Sequence, residues 1–217
     1  MSKKATIPLA PFFKADTIEA GCDEAGRGCY AGPVVAAAVI LPPNFEHPYL
    51  KDSKQLSVKK REEMAKIIRQ EARAYAISVK EVKLIDKINI LQASVKGMND
   101  AVAALKIKPE LLLIDGPYFR NDVGIPHECI VKGDAKFTSI AAASILAKTH
   151  RDQIMRDLSE KYPAYDWANN KGYGAKKHLA ALRTHGPTPQ HRQKWMEKFF
   201  DAQASFGFME EIQRKTI

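Results

Sequence analysis

Cysteine is scarce, acidic residues are outnumbered, and no long apolar run is present. The three cysteines, Cys22, Cys29 and Cys129, cannot all pair with one another. No Cys-x-x-Cys or Cys/His cluster offers the spacing of a zinc site. Reduced thiols in a cytoplasmic protein are therefore expected. Nothing approaches the roughly 20 consecutive apolar residues of a membrane span, and the N-terminal residues hold no signal-peptide apolar block, so no membrane partner is expected. Repeats, low-complexity tracts and clear linkers are missing as well. At 217 residues the chain suffices for one core and is short for two full domains.

Positive charge is in excess. Lys and Arg number 34 against 25 Asp and Glu, a net +9, which favours a polyanionic partner. The excess is uneven. Lys171, Lys176, Lys177, Arg183, Arg192, Lys194 and Lys198 face a single acid, Glu197, within one stretch. That stretch reads as a phosphate-facing surface.

Hydrophobic patterning gives an element list. Residues 17–22 and the apolar run 33–41, closed by Pro42-Pro43, read as strands joined by a glycine turn. A charged helix is expected over 57–72, with Ala65, Ile68 and Ala72 on one face. A period-two strand is expected over 74–82, and a second helix over 90–106, stopped before Pro109. Leu111-Leu-Leu-Ile114 reads as a fully buried strand ending at Asp115-Gly116. Residues 129–131 read as a short strand. A long helix follows, capped by Thr138 or Ser139, with Ile140, Ala147, Ile154 and Leu158 inward. The list predicts an α/β fold, a mixed sheet with helices on its faces. Residues 1–162 are expected to form the core and 163–217 a helical, basic, substrate-binding part packed against it as one unit.

Asp23 and Glu24 stand side by side where a strand enters Gly21-Cys-Asp-Glu-Ala-Gly-Arg-Gly28. Adjacent carboxylates at the end of a buried strand repel each other and lose hydration, unless a cation sits between them. Hard divalent ions such as Mg2+ or Mn2+ suit such oxygen donors. Taken singly, the pair is compatible with a solvated turn, Asp115 with a turn at Gly116-Pro117, and Asp134 with a cap. Together they occupy equivalent positions at strand ends, where sites of open sheets assemble, and indicate a metal-binding carboxylate cluster. Gly26-Arg-Gly28-Cys-Tyr-Ala31 also fits a dinucleotide fingerprint. Its context contradicts that reading, because Gly32-Pro33 opens a strand rather than a helix and the two acids would repel a pyrophosphate. The glycines suit close approach to a sugar-phosphate, with Arg27 free to reach a phosphate.

Ordered blocks across nearly the whole chain resemble the bacterial-type ribonuclease HII family. They are 21–28 with Ala31-Gly-Pro-Val34, Asp52-Ser-Lys-Gln-Leu56, Leu112-Leu-Ile-Asp-Gly116, Val131-Lys-Gly-Asp134, Ser139 to Lys148, Lys171-Gly-Tyr-Gly174 and His185-Gly-Pro187. The resemblance implies a ribonuclease-H-like sheet with a C-terminal helical part. It implies that Asp23, Glu24, Asp115 and Asp134 hold two divalent metal ions, Mg2+ or Mn2+, across the scissile phosphate of RNA paired to DNA, leaving a 3'-hydroxyl and a 5'-phosphate. It also implies that Gly26, Arg27 and Gly28, with Tyr173, recognise the ribose 2'-hydroxyl at an RNA-to-DNA junction. RNA/DNA hybrids and ribonucleotide-containing duplex DNA are thus the expected partners of a monomer. Ser53, Lys54, Lys176, Lys177 and Arg183 fit phosphate contacts, although each suits plain solubility too. The sister family, ribonuclease HIII, usually adds an N-terminal domain and lacks the Gly-Arg-Gly turn.

Several positions depart from the family pattern. Cys29-Tyr30 stands for the commoner Pro-Leu, Ala135 and Phe137 replace residues that are often serine, and Ala175 replaces a threonine beside Tyr173-Gly174. Asp152 lies one turn from Lys148 and Arg156 and reads as part of a solvated ion-pair ladder. Gln193, Met196, Phe199 and Phe200 match a sliding-clamp ligand pattern, with core packing the preferred reading. The rival functions are another ribonuclease-H-like nuclease, such as a junction resolvase, and a noncatalytic hybrid-binding module.

Overall fold

Residues 8–50 and 56–201 are described by the computed structural model. Five strands, β1 (Glu19–Ala25), β2 (Val34–Ile40), β3 (Ala74–Lys80), β4 (Leu111–Asp115) and β5 (His127–Ile130), form one sheet in the order β3-β2-β1-β4-β5. The β1/β2 and β2/β3 pairs are antiparallel, while β1/β4 and β4/β5 are parallel. The expected mixed α/β sheet is the observed one.

The helices are α1 (Val58–Glu71), α2 (Val82–Ile88), α3 (Ile90–Ala103), α4 (Thr138–Lys161), α5 (Trp167–Asn170) and α6 (Lys176–His185). Residues 193–201 are helical too. Alternation along the strands divides the core between the two faces of the sheet. Ala20 and Cys22 of β1, Ala36, Ala38 and Ile40 of β2, and Leu112 and Ile114 of β4 meet Val95, Met98, Ala101 and Val102 of α3. On the other face Val35, Ala37 and Val39 meet Met64, Ala65 and Ile68 of α1 and the Ala141–Ala143 run of α4. A third cluster joins Ala31 and Met155 to Tyr165, Trp167, Leu182, Met196 and Phe199 of the C-terminal part.

Some local readings of the sequence need correction: β1 runs on through Ala25, so Asp23 and Glu24 lie within it rather than after it, and β5 covers His127–Ile130 rather than 129–131. Helix α2 was not foreseen, because the period-two pattern ran on to Val82 whereas β3 ends at Lys80. Asn89, at φ 66° and ψ 166°, separates α2 from α3 and accepts the Gln92 N–H on its side chain, a backbone conformation that is strained for any residue but glycine. Nor is α4 capped by a side chain of its own. Residue 10 crosses the start of the helix instead, and both the N–H and the hydroxyl of Thr138 donate to the Ala10 carbonyl at 3.0 Å.

Helix α4 lies directly on β1 because Gly21 has no side chain. A Cβ there would stand 2.2 Å from the Ser139 carbonyl carbon and 2.3 Å from the Ile140 nitrogen, backbone atoms of a helix that cannot yield cheaply. Overpacking of this kind costs about 1–3 kcal/mol. Gly21→Ala is expected to lower the melting temperature by about 4 °C or more, as measured by circular dichroism.

Candidate active site

The parallel register pairs Cys22 with Ile114, so Asp23 and Asp115 are the next residues along their strands. Alternation sends both toward α4, on the same face as Gly21 and Leu113. Asp23 is buried at 5% exposure, accepts the Glu24 N–H at 2.7 Å and is hydrogen-bonded to the Ser144 hydroxyl of α4. Burial, then the charges of Glu24 and Asp115, push its carboxyl well above the usual range. Glu24 is also raised, first by burial, while its ion pair with Arg27 at 3.1 Å acts in the opposite direction. Asp115 accepts the Gly133 N–H at 2.6 Å. That bond ties the end of β4 to the 3-10 turn Gly133–Ala135, which carries the buried Asp134.

Glu24 and Asp134 border a cleft of about 480 Å³ lined also by Ala25, Gly26, Arg27, Gly28, Arg61, Ser144, Ile145, Lys148 and Tyr173. The structure thus sets Asp23, Glu24 and Asp115 in mutual electrostatic contact and puts Asp134 on the wall shared with Glu24. Among the described residues no three His, Cys, Asp or Glu side chains converge into a ready-made metal shell. The donor set still suits a hard divalent cation, since all four groups offer carboxylate oxygen and none offers sulfur or imidazole.

The glycine turn at the cleft holds glycines with different reasons to be glycine. Gly26 has φ +100°, and a Cβ there would sit 2.0 Å from the Arg151 Nε, so the protein interior excludes a side chain. Gly28 is constrained by neither its φ nor its neighbours, and a Cβ would meet only a Tyr173 ring carbon at 4.0 Å. Its bareness leaves space open beside the carboxylates. Tyr173 itself is 45% exposed rather than packed. Its carbonyl accepts Nδ1–H of the fully buried His178 at 2.8 Å. Trp167 Nε1 can only donate, and it donates to His178 Nε2 at 3.0 Å, which fixes that tautomer.

Three expectations about cations change. Arg27 is paired with Glu24, not free. Asp152 is buried at 3% exposure and bridges Lys148 at 2.6 Å and Arg61 at 3.4 Å, holding both cations at the cleft wall. Arg156 pairs with Glu62 instead. Arg61 was missed because 91 residues separate it from Asp152, and no helical spacing links them. Lys176, Lys177 and Arg183 lie exposed on α6, outside the cleft lining. Lys177 approaches Asp166 at 3.8 Å and Arg183 lies over the Phe199 ring. Ser53 and Lys54 fall outside the described residues. Of the clamp-like pattern, Met196 and Phe199 are buried in packing, whereas Gln193 and Phe200 are exposed.

The raised Asp23 carboxyl has a direct consequence for stability. A folded-state value above the unfolded one means that stability is lost as pH rises through it, so the Asp23 carboxyl is a cost at neutral pH without metal. Asp23→Asn is therefore expected to raise the melting temperature of the metal-free protein at pH 7, by a few degrees. Mg2+ or Mn2+ should raise that of the native chain more than that of the variant in the same scanning calorimetry.

Comparison with known proteins places this architecture. A family model described as Ribonuclease HII matches residues 20–198. A ribonuclease HII of Parabacteroides distasonis is 54% identical over 200 residues, covering 92% of this chain and 100% of the relative. Among solved structures, the ribonuclease H2 from Pyrococcus horikoshii matches with a TM-score of 0.70 at 25% identity, covering 85% of this chain and 97% of that one. The RNase HII solved in complex with PCNA from Archaeoglobus fulgidus matches with a TM-score of 0.69 at 26% identity, covering 82% and 95%.

Proposed function

The chain belongs to the ribonuclease HII family, hydrolytic endoribonucleases acting on RNA/DNA hybrids, and from that premise we propose that it incises duplex DNA on the 5' side of a single embedded ribonucleotide as well as the RNA strand of longer hybrids. The observation that carries this reading is Gly28. It is a glycine that neither backbone strain nor protein packing requires, set in the same cleft as Glu24, Asp134 and the exposed Tyr173. A ribose laid in that gap would meet backbone donors from the glycine turn on one side and the tyrosine on the other. The 2'-hydroxyl is the group that distinguishes RNA from DNA there. A deoxyribose would leave those polar groups unpaired, the kind of mismatch that rejects a substrate most strongly.

Asp23, Glu24, Asp115 and Asp134 would hold the divalent cations, two in number and Mg2+ or Mn2+ in kind, with small side-chain rotations completing the shell. When bound, such ions supply an activated water and stabilise charge on the leaving 3' oxygen, giving 3'-hydroxyl and 5'-phosphate ends. The chain's own residues do the rest. Asp23 and Asp115 present oxygens from adjacent strand ends, fixed from behind by Ser144 and by the Gly133 amide. Lys148 and Arg61, oriented by Asp152, place positive charge where the phosphate backbone enters. Ser53, Lys54, Lys176, Lys177 and Arg183 would add sequence-independent contacts along the duplex. Action as a monomer is part of this reading. The buried thiols of Cys22 and Cys29 agree with a cytoplasmic setting. No helix among the described residues is long and apolar enough to cross a membrane.

The test is cleavage of a labelled DNA duplex containing one ribonucleotide, beside an all-DNA control, in Mg2+, Mn2+ or EDTA. Incision only at the ribonucleotide, and only with metal, is expected. Gly28→Ala should keep the native melting temperature and lose at least about tenfold in kcat/KM, because the added methyl occupies the sugar's space. Cutting of the all-DNA control would favour a resolvase-like enzyme, and an unimpaired Gly28→Ala would remove the argument from the gap.

A further inference from the structure

Arg151 and Arg192 are both fully buried, at 0% exposure, and neither lines the cleft. All of their hydrogen bonds among the described residues go to backbone carbonyls. From Arg192, Nη1 donates to Arg27 at 2.7 Å, Nη2 to Gly26 at 2.6 Å, to Gly32 at 3.0 Å and to Pro33 at 3.3 Å, and Nε to Gly32 at 3.1 Å. From Arg151, Nε donates to Pro33 at 2.9 Å, Nη2 to Ala31 at 3.0 Å and Nη1 to Lys171 at 2.9 Å. Among the described residues no carboxylate lies within ion-pair distance of either group, Asp86 acting on Arg192 only from further off, and burying two cations together in this way is expensive. A structural role alone could be filled by apolar packing, so the expense calls for another explanation.

The geometry of the peptide unit supplies one. The described chain contains no cis peptide bonds, and in a planar trans peptide the C=O and the following N–H point in opposite directions. Arg192 draws the Gly26 and Arg27 carbonyls inward. The N–H groups of Arg27 and Gly28 must then face away from it, on a segment that lines the cleft. A charged donor on each carbonyl also polarises the peptide and strengthens its N–H as a donor. On the opposite wall, Arg151 holds the Lys171 carbonyl two residues before Tyr173, and Gly172 accepts the Tyr30 N–H at 2.8 Å.

We propose that Arg192, with Arg151 beneath it, is a positioning residue for ribonucleotide selectivity: the two guanidinium groups set the amide donors of Arg27 and Gly28 and the ring of Tyr173 in register without touching substrate. The proposal rests on the ribonucleotide-recognition reading above. It also explains why the group is arginine. A guanidinium carries five donors in a rigid planar fork and spans the carbonyls of Gly26, Arg27 and Gly32 at once, which an ammonium at the end of a flexible stem does not.

The experiment compares kcat/KM on the single-ribonucleotide duplex and on a long RNA/DNA hybrid for the native chain, Arg192→Lys and Arg192→Ala, each checked for cooperative unfolding above the assay temperature. Arg192→Lys preserves charge and volume, so it serves if the alanine variant does not fold. Selectivity is expected to suffer more than activity. The ratio of the two kcat/KM values should fall at least fivefold in Arg192→Lys, and added guanidinium ion should restore part of the ratio in Arg192→Ala. An unchanged ratio in a folded variant, with both activities reduced in parallel, would show a merely structural role and overturn the proposal. Failure of the native chain to cut the single-ribonucleotide duplex would overturn the recognition reading beneath it, and that result is visible before any variant is made.

Discussion

Buried like charge is the constraint around which this molecule is arranged. Asp23 and Glu24 lie at the end of the central strand, with Asp115 brought beside them by the parallel β1/β4 register. Burial and mutual repulsion raise the carboxyls of Asp23 and Glu24. A fold selected for stability alone would place neutral or apolar residues there. The neighbouring groups moderate the strain without removing it. Ser144 and a backbone amide bond Asp23, Arg27 pairs with Glu24, and the Gly133 amide bonds Asp115. What remains is a concentration of oxygen donors and negative charge that a hard cation relieves, next to a positively edged cleft that a phosphate backbone can enter.

The scaffold achieves this by close approach. The small residues of β2 and Gly21 of β1 let α3 and α4 lie tight against the two faces of the sheet, and α4 then brings Ser144, Lys148 and Asp152 to the strand ends. The C-terminal part closes the other side. Arg192, beyond α6, and Arg151, from α4, meet under the turn between β1 and β2 and gather its carbonyls. The wall proposed to read the sugar and the wall proposed to bind metal are therefore tied together by these contacts, although their residues span the sequence from Asp23 to Arg192.

Much of this was legible in the sequence. Continuous apolar runs marked β2 and β4, and the placement of Asp23 and Glu24 after a weakly alternating segment and of Asp115 after an apolar run pointed to a shared edge. Glycine spacing marked the turn. Side-chain bonds to distant backbone left no periodic trace. Arg151 to Pro33 and Arg192 to Gly26 span 118 and 166 residues. Arg192 therefore read as one more phosphate-facing cation in a basic stretch, whereas it is wholly interior. Asp152 was misplaced for a related reason. Its i+4 partner Lys148 was visible, but the tertiary partner Arg61 and the resulting burial were not.

The central claim is that the four carboxylates form a metal centre facing a ribonucleotide. The most direct measurement is anomalous diffraction from a crystal of the Asp134→Asn chain with Mn2+ and a duplex containing one ribonucleotide. Manganese peaks ligated by Asp23, Glu24 or Asp115, with the 2'-hydroxyl between the Gly28 backbone and Tyr173, are the predicted result. Manganese bound elsewhere, or a ribonucleotide lying outside this cleft, would contradict the account.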